Sequence, residues 1–386
     1  STLSSSSAAS DVYKRQALST PRRGRSTRDY DESDVHIRPK RTSRPRTKKR
    51  PSYTDAVTAR IVTIDRGRWL CALLDDAPRN THDPDGERSP AGTRVTCIRA
   101  RTLGRERMVV GDLVDIVGDL SGSPDAIARI VRLHDRDTVL RRTADDTDPY
   151  ERIVVANADQ LLIVVAATNP PPREGFVERA LIAAYAAGIR PILCMTKSDL
   201  ADPTAFLTQF TGLDLPAVVC GTGDPTDTLL TYLNGHVTAL IGHSGVGKST
   251  LVNRLVPEAE RPTGDVSKVG KGQHTSTQSM AMELPGGGWV IDSPGIRSFG
   301  LAHVTVETVV GAFDDLSALS ENCPRGCTHR GEPFDKDCAW DEALAREPED
   351  SPLARRIQAV RMLLIALHSN DAWSLGCLLY TSPSPR

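Results

Sequence analysis

The sequence predicts a mixed α/β protein in three folded parts: a small five-stranded β-barrel, a parallel-sheet domain and a helical segment built round a cysteine cluster. Three observations carry this. Between Ala56 and Arg142, short β-type runs alternate with Gly, Pro, Asp and Asn clusters and show no helical periodicity. From about Tyr150, apolar runs suited to burial on both faces alternate with a stretch of helical spacing. Beyond Leu301, three cysteines and a histidine crowd into sixteen positions, Cys323 to Cys338. The chain of 386 residues has room for two or three domains of ~150 residues. With 39% hydrophobic and 25% charged residues it can bury a core, which excludes wholesale disorder.

In chain order, the first part is a basic arm. Residues 1–52 carry 14 Lys/Arg against 5 Asp/Glu, a surplus of nine, so the remainder carries −10 of the net charge of −1. From Val35 to Pro51 there are eight basic residues and no acid, a run that repels itself. It reads either as a solubilising tail or as an arm that neutralises phosphates on a nucleic acid. The β-type runs Ala59–Ile64, Trp69–Leu74, Arg94–Arg99, Met108–Val117 and Ala126–Arg132 then predict a closed barrel. An oligonucleotide-binding (OB) barrel fits the strand count, with an SH3-type barrel as the alternative. The polar stretch Asn80–Pro90 predicts a long loop.

The parallel sheet is predicted from Gln160–Ala167, Arg190–Met195, Ala217–Cys220, Val237–Ile241 and Trp289–Ile291, with a helix from Glu174 to Ala187 stopped by Gly188. Past Leu301 the pattern is helical and ends in a basic amphipathic stretch, Leu353 to Leu367. Near the start "VYKRQ" and at the end "CLLYTSPSPR" have the look of translated adapter sequence and carry no functional weight. The resulting division is an arm (1–54), a barrel (55–142), an α/β domain (143–300), a helical cysteine-rich domain (301–368) and a tail (369–386). The longest apolar run, Leu161–Ala167, is far short of the ~20 residues a membrane helix needs. The Ser-rich start lacks the apolar core of a signal peptide. These features predict a soluble cytoplasmic protein, a setting in which eight cysteines do not read as a disulfide framework.

The strongest chemical signal is Gly242-His243-Ser244-Gly245-Val246-Gly247-Lys248-Ser249-Thr250, a G-x-x-x-x-G-K-[ST] phosphate loop between a strand-like run and a helix start, Thr250–Leu255. Glycines let successive backbone N–H groups turn inward on phosphate oxygens, and the helix N-terminus adds partial positive charge. Lys248 would reach the β- and γ-phosphates, and the Ser249 hydroxyl would coordinate magnesium. Asp292-Ser293-Pro294-Gly295 matches the D-x-x-G element of GTPases, where the Asp acts on the metal through its water shell and the Gly amide senses the γ-phosphate. A hairpin, Ser279–Leu284 with Trp289–Ile291, leads into it. Thr196-Lys197-Ser198-Asp199 matches [NT]-K-x-D, whose carboxylate takes two hydrogen bonds from guanine N1 and N2 that adenine cannot supply.

The guanine loop thus precedes the phosphate loop, the reverse of the usual GTPase order. A circularly permuted P-loop GTPase domain accounts for this, because ligand contacts depend on position in space and not on chain order. After Gly295 stands Ile296, where a water-orienting Gln would be expected, so another residue must serve or intrinsic hydrolysis is slow. His274, in Gly270–Thr277, is the candidate for that role. Thr275 or Thr277 would supply the switch-one hydroxyl to magnesium. Cys323, Cys327, His329 and Cys338 form C-x3-C-x-H-x8-C, which fits a closed, structural tetrahedral zinc site with no position left for water. Cys71, Cys97, Cys194 and Cys220 are scattered and predicted to be core or surface thiols.

With a barrel, a permuted order and Cys-Cys-His-Cys in that sequence, the chain resembles the bacterial ribosome small-subunit-dependent GTPase A family over about residues 55–368. Ala156-Asn157-Ala158-Asp159-Gln160, Val110-Gly111-Asp112 and Gly272-Gln273-His274-Thr275 add to the likeness. The resemblance implies a monomeric GTPase, with Mg2+ and one structural Zn2+, that binds GTP and GDP, the 30S subunit and its 16S rRNA. It would assist late maturation of the decoding region, be stimulated by the subunit and leave after hydrolysis, with His274 catalytic. The zinc spacing is looser than the family's C-x4-C-x-H-x5-C, and Cys220-Gly221 stands where Ser-Ala often backs the nucleotide. Two other readings stay open: an RNA-binding assembly chaperone with negligible turnover, and a P-loop ATPase or kinase in which Asp199 plays no part.

Overall fold

The computed structural model describes residues 53–77, 89–104, 106–142, 152–257, 279–293, 299, 301 and 303–376, with side chains to 368. The basic arm, most of the 80–90 loop, His274, Thr275, Thr277, Gly295 and Ile296 lie outside the described residues, as does the chain from 377 on.

Strands β1 (Val57–Asp65), β2 (Arg68–Leu73), β3 (Arg94–Arg99), β4 (Leu113–Gly118) and β5 (Ala128–Leu133) close into a barrel in the order β1-β2-β3-β5-β4. β3 and β5 run parallel and β4 closes antiparallel on β1. That parallel step is the OB arrangement and decides against an all-antiparallel SH3-type barrel. Alternate residues point inward, among them Ala59, Ile61, Cys71, Leu73, Val95, Cys97, Val114, Ile116 and Ile130, all at most 1% exposed.

The run Met108–Val117 is not one strand. Asp112, fully buried, accepts a hydrogen bond from the Val109 amide at 2.7 Å and ion-pairs with Arg136 at 2.6 Å, folding residues 109–112 into a turn before β4. Gly111 at its corner has φ +92°, and a Cβ there would come within 2.1 Å of the Ala156 carbonyl oxygen. The turn rests on a two-stranded ribbon, β6 (Val139–Arg142) with β7 (Arg152–Ala156), which the alternation pattern does not predict. Asn157 ties the two together: its Oδ1 accepts from the Asp137 amide at 2.9 Å and its Nδ2 donates to Gly111 O at 3.2 Å.

The second sheet has the order β10-β9-β8-β11-β13-β12, from β8 (Gln160–Ala166), β9 (Arg190–Thr196), β10 (Ala217–Cys220), β11 (Val237–Ile241), β12 (Met280–Glu283) and β13 (Trp289–Asp292). All pairings are parallel except β12 with β13. β8 lies between β9 and β11 with all seven residues buried, which is why it reads as an uninterrupted apolar run. Helix α1 (Glu174–Ala186) covers one face through Phe176, Val177, Ala180, Leu181 and Ala184, and α2 (Thr204–Thr208) and α3 (Asp227–Leu233) complete the connections. Helix α4 (Lys248–Leu255) begins at Lys248, one turn's half earlier than the helical run Thr250–Leu255 suggests.

The C-terminal helices are α5 (Val306–Val310), α6 (Asp314–Ser320), α7 (Ala339–Arg346) and α8 (Pro352–Gly376). α8 continues past Leu367, the predicted end of the amphipathic stretch, and past Ser374 to Gly376. Its Ile357, Val360, Leu363 and Leu364 are buried in the same apolar cluster as Leu161, Ile163 and Leu181 of the sheet domain.

Polar contacts from the barrel also reach the strand that carries Asp292. Two barrel arginines lie over the Trp289 ring, with guanidinium carbons 5.8 Å (Arg60) and 5.3 Å (Arg94) from its centroid. Arg94→Met keeps the aliphatic stem and removes the cation, so a loss of about 1 kcal/mol is expected in urea unfolding. An unchanged midpoint would mean that apolar packing alone seats the barrel.

Candidate functional site

The loops that follow β9, β10, β11 and β13 all leave the sheet at the carboxyl ends of parallel strands, the edge at which α/β sheets bind ligands. β11 sits in the middle of the sheet and feeds the 242–247 loop directly into α4, so the N-terminus of that helix faces the same edge. Gly242 has to be a glycine: a Cβ would come within 2.4 Å of the Val164 carbonyl oxygen on the neighbouring strand. Gly245 and Gly247 take left-handed backbone, with φ +81° and +94°.

Lys248 Nζ folds back over this loop, donating to Gly242 O at 2.7 Å and lying 3.5 Å from His243 O. Burial lowers its pKa from the usual lysine value, and the Asp292 carboxylate opposes that shift. Asp292 is 3% exposed at the end of β13, so a buried carboxylate acts electrostatically on the half-buried ammonium. Ser249 and Thr250 follow in the first turn of α4, and Ser244 and Gly245 are exposed at the loop tip. The His243 ring packs 4.3 Å from Phe176 of α1, and Phe176 in turn lies 6.2 Å from Phe299.

The Thr196–Asp199 segment is bound to that loop. Lys197, at φ +57°, donates from Nζ to Gly245 O at 2.8 Å and also to Asn169 O. Thr196 Oγ1 is within hydrogen-bond reach of Val246 O and lies 3.2 Å from Val165 O. Asp199 itself is exposed. Its Oδ1 accepts from the Thr222 amide at 3.0 Å. Residues the motif reading does not single out therefore take part: Thr222, Asp224, whose Oδ2 accepts from the Gly221 amide, and Arg254 of α4, which donates to the carbonyls of Gly221 (3.0 Å) and Asp224. Only the acid-turn pattern Gly221–Asp224 is a local signal; the reach of Arg254 across thirty residues has none.

The four predicted metal ligands converge. The ligand atoms of Cys323, Cys327, His329 and Cys338 all lie within 4.8 Å of one another. His329 Nδ1 is 3.5 Å from Cys323 Sγ, 3.5 Å from Cys327 Sγ and 3.8 Å from Cys338 Sγ, and Cys323 Sγ is 4.0 Å from Cys338 Sγ. A tetrahedral ion ~2.3 Å from sulfur and ~2.0 Å from nitrogen sets edges of about 3.5 Å (N–S) and about 3.8 Å (S–S), so the cluster can hold a metal despite its longer spacing. Burial pushes the Cys327 thiol up to about 12 and lowers His329, which favours the neutral imidazole that ligates. The shell is fixed: Trp340 stacks on His329 at 4.6 Å, the Ala339 amide donates to Cys323 Sγ at 3.3 Å, and Arg361 donates to His329 O at 3.1 Å while pairing with Asp341. Cys71, Cys97, Cys194 and Cys220 are all buried in the barrel and sheet cores.

Residues 133–302 match the family model described as RsgA GTPase. The "Small ribosomal subunit biogenesis GTPase RsgA" of Ectopseudomonas mendocina (strain ymp) is 41% identical over 229 residues, covering 56% of this chain and 64% of that protein. Its namesake from Pseudomonas aeruginosa (strain LESB58) is 40% identical over 229 residues, 56% of this chain and 65% of that one. The chain thus spans just under two thirds of the length of these curated relatives. Among solved structures, YjeQ from Thermotoga maritima superposes with a TM-score of 0.56 at 22% identity, covering 81% of this chain and 99% of its own. YloQ, described as a circularly permuted GTPase, gives 0.55 at 21% identity, covering 83% and 98%. At such identities the likeness shows a shared fold.

Proposed function

We propose, from the match of residues 133–302 to the RsgA GTPase family model, that this chain is a GTPase of that family, hydrolysing GTP to GDP and phosphate, that acts in late maturation of the small (30S) ribosomal subunit and is stimulated by it. The curated relatives' names support the ribosomal part of the reading. The observation that carries the nucleotide part is the Lys197–Gly245 hydrogen bond, which joins the guanine-type loop to the phosphate-type loop although the chain meets them in reverse order.

In this reading Asp199 accepts from guanine N1 and N2, with Thr196, Lys197 and Ser198 shaping its loop. The amides from Gly242 to Thr250 surround the phosphates, where Lys248 leaves Gly242 O to contact the β- and γ-oxygens. The Ser249 hydroxyl and the buried Asp292 carboxylate fit Mg2+, a cation that takes oxygen ligands and would neutralise charge on the phosphates. Thr275 and the Gly295 amide would complete the switch side, and His274 would orient the attacking water. Zn2+ in the Cys3His cluster would hold the 323–338 loop against α7 and α8. The partners are GTP, GDP, the 30S subunit and its 16S rRNA, met by a monomer in the cytoplasm.

The test is GTP turnover with and without 30S subunits, together with sedimentation with 30S in a non-hydrolysable GTP analogue against GDP. Stimulated turnover and nucleotide-dependent binding are expected. Equal, slow rates would instead favour the RNA-binding chaperone, for which Ile296 in place of a glutamine is the motivating residue. For the metal, Cys338→Ser is expected to abolish stoichiometric zinc and to lower the melting temperature by several degrees. Atomic absorption and a thermal melt check this; a zinc-free wild type with the same melt would contradict a structural role.

A further inference from the structure

We propose that Arg254 is a positioning residue that sets guanine selectivity, by holding the 220–224 loop against Asp199 from the same helix whose N-terminus receives the phosphates. The inference rests on the nucleotide reading above and extends it to a residue outside every motif. Arg254 lies six positions after Lys248 on α4. Its two terminal nitrogens donate to two carbonyls of one loop, Gly221 O at 3.0 Å and Asp224 O. A guanidinium forked across two carbonyls fixes both the distance and the orientation of the segment between them.

That segment is the one that meets the base-reading carboxylate. Between the two held carbonyls, the Thr222 amide donates to Asp199 Oδ1 at 3.0 Å, with Thr222 Oγ1 3.5 Å from each carboxylate oxygen. Asp224 Oδ2 accepts from the Gly221 amide and closes the turn internally. The fit is close: a Cβ at Gly221 would stand 3.2 Å from Asp199 Oδ1, 3.2 Å from Ser198 Oγ and 2.9 Å from Asp224 Oδ2. A loop packed this tightly can orient Asp199 only while it stays in place. Its strand, β10, is the edge of the sheet and is four residues long, so the sheet alone holds it weakly. Arg254 supplies the second anchor and makes the separation of base loop and phosphate loop a property of one rigid helix.

The consequence is specific. Loss of Arg254 should loosen the base end of the nucleotide and leave the phosphate end intact. Equilibrium binding of GTP, GDP and ATP, with steady-state GTP turnover, would be measured on the full chain for wild type, Arg254→Met and Arg254→Lys. Arg254→Met is expected to weaken GTP and GDP together by roughly tenfold, the scale of lost hydrogen bonds to a charged donor. ATP affinity should barely move, so the GTP-over-ATP ratio falls, while kcat at saturating GTP stays within about twofold. Arg254→Lys, which keeps the charge but not the fork, should fall between. Equal weakening of GTP and ATP would overturn the proposal, since it would make Arg254 a support of α4 alone, and so would an unchanged ratio in both variants. A wild type that binds ATP as well as GTP would overturn the guanine reading itself, and this inference with it.

Discussion

Lys248→Ala is expected to reduce GTP turnover by roughly 10²–10³-fold, the effect of removing one preorganised donor aimed at charge that develops in the transition state. The side chain is already gathered over the loop, with Nζ on Gly242 O, so little reordering separates the resting lysine from one that contacts phosphate. Burial penalises its charge, and Asp292 restores part of it. The alanine variant therefore loses a cation held where water screens it least, and leaves the buried Asp292 without that counter-charge. GTP affinity should fall as well, because the ground-state triphosphate meets the same ammonium. Single-turnover kinetics at saturating GTP separates the two effects; turnover within twofold of wild type would remove Lys248 from the chemistry.

Asp199→Asn is expected to weaken GTP by roughly 10²–10³-fold and to improve xanthosine triphosphate relative to it. The carboxylate is an acceptor only, matched to two N–H groups of guanine. An asparagine offers one carbonyl and one NH2, so one guanine donor would face another donor, whereas xanthine presents a carbonyl at that place. The Thr222 amide can still donate to the asparagine oxygen, which keeps the loop in position and makes the change one of recognition. Competition between the two nucleotides checks this. If the variant still prefers GTP by the wild-type margin, some other group reads the base.

What could be read along the chain was local. The 242–250 and 196–199 motifs depend on residues a few positions apart, and β8, β9 and β11 are buried on both faces, so their apolar runs needed no knowledge of partners. The Cys3His set was visible because its ligands lie within one short loop. Contacts between distant segments left no such trace. The β6–β7 ribbon is too short for alternation to register, and the split of Met108–Val117 depends on Asp112 being captured by Arg136 and the Val109 amide. The cation–π contacts on Trp289 need two arginines from different barrel strands, and Arg254 finds its carbonyls only once α4 lies beside the 220–224 loop. The Val110-Gly111-Asp112 and Ala156–Gln160 stretches meet where the barrel adjoins the sheet domain: the Ala156 amide donates to Val110 O at 3.1 Å and Asn157 Nδ2 to Gly111 O at 3.2 Å, while Asp159 Oδ1 accepts the Val237 amide at 2.8 Å and Gln160 Oε1 accepts from Thr238 Oγ1 at 3.0 Å inside the sheet.

The most direct measurement is a crystal structure of the full chain with a non-hydrolysable GTP analogue and Mg2+. A single nucleotide is expected to lie across the carboxyl edge of the sheet, its guanine within hydrogen-bond distance of the Asp199 carboxylate and its terminal phosphates on Lys248 Nζ and the 242–250 amides. A base bound elsewhere, with Asp199 turned to solvent while phosphate fills the loop, would contradict it.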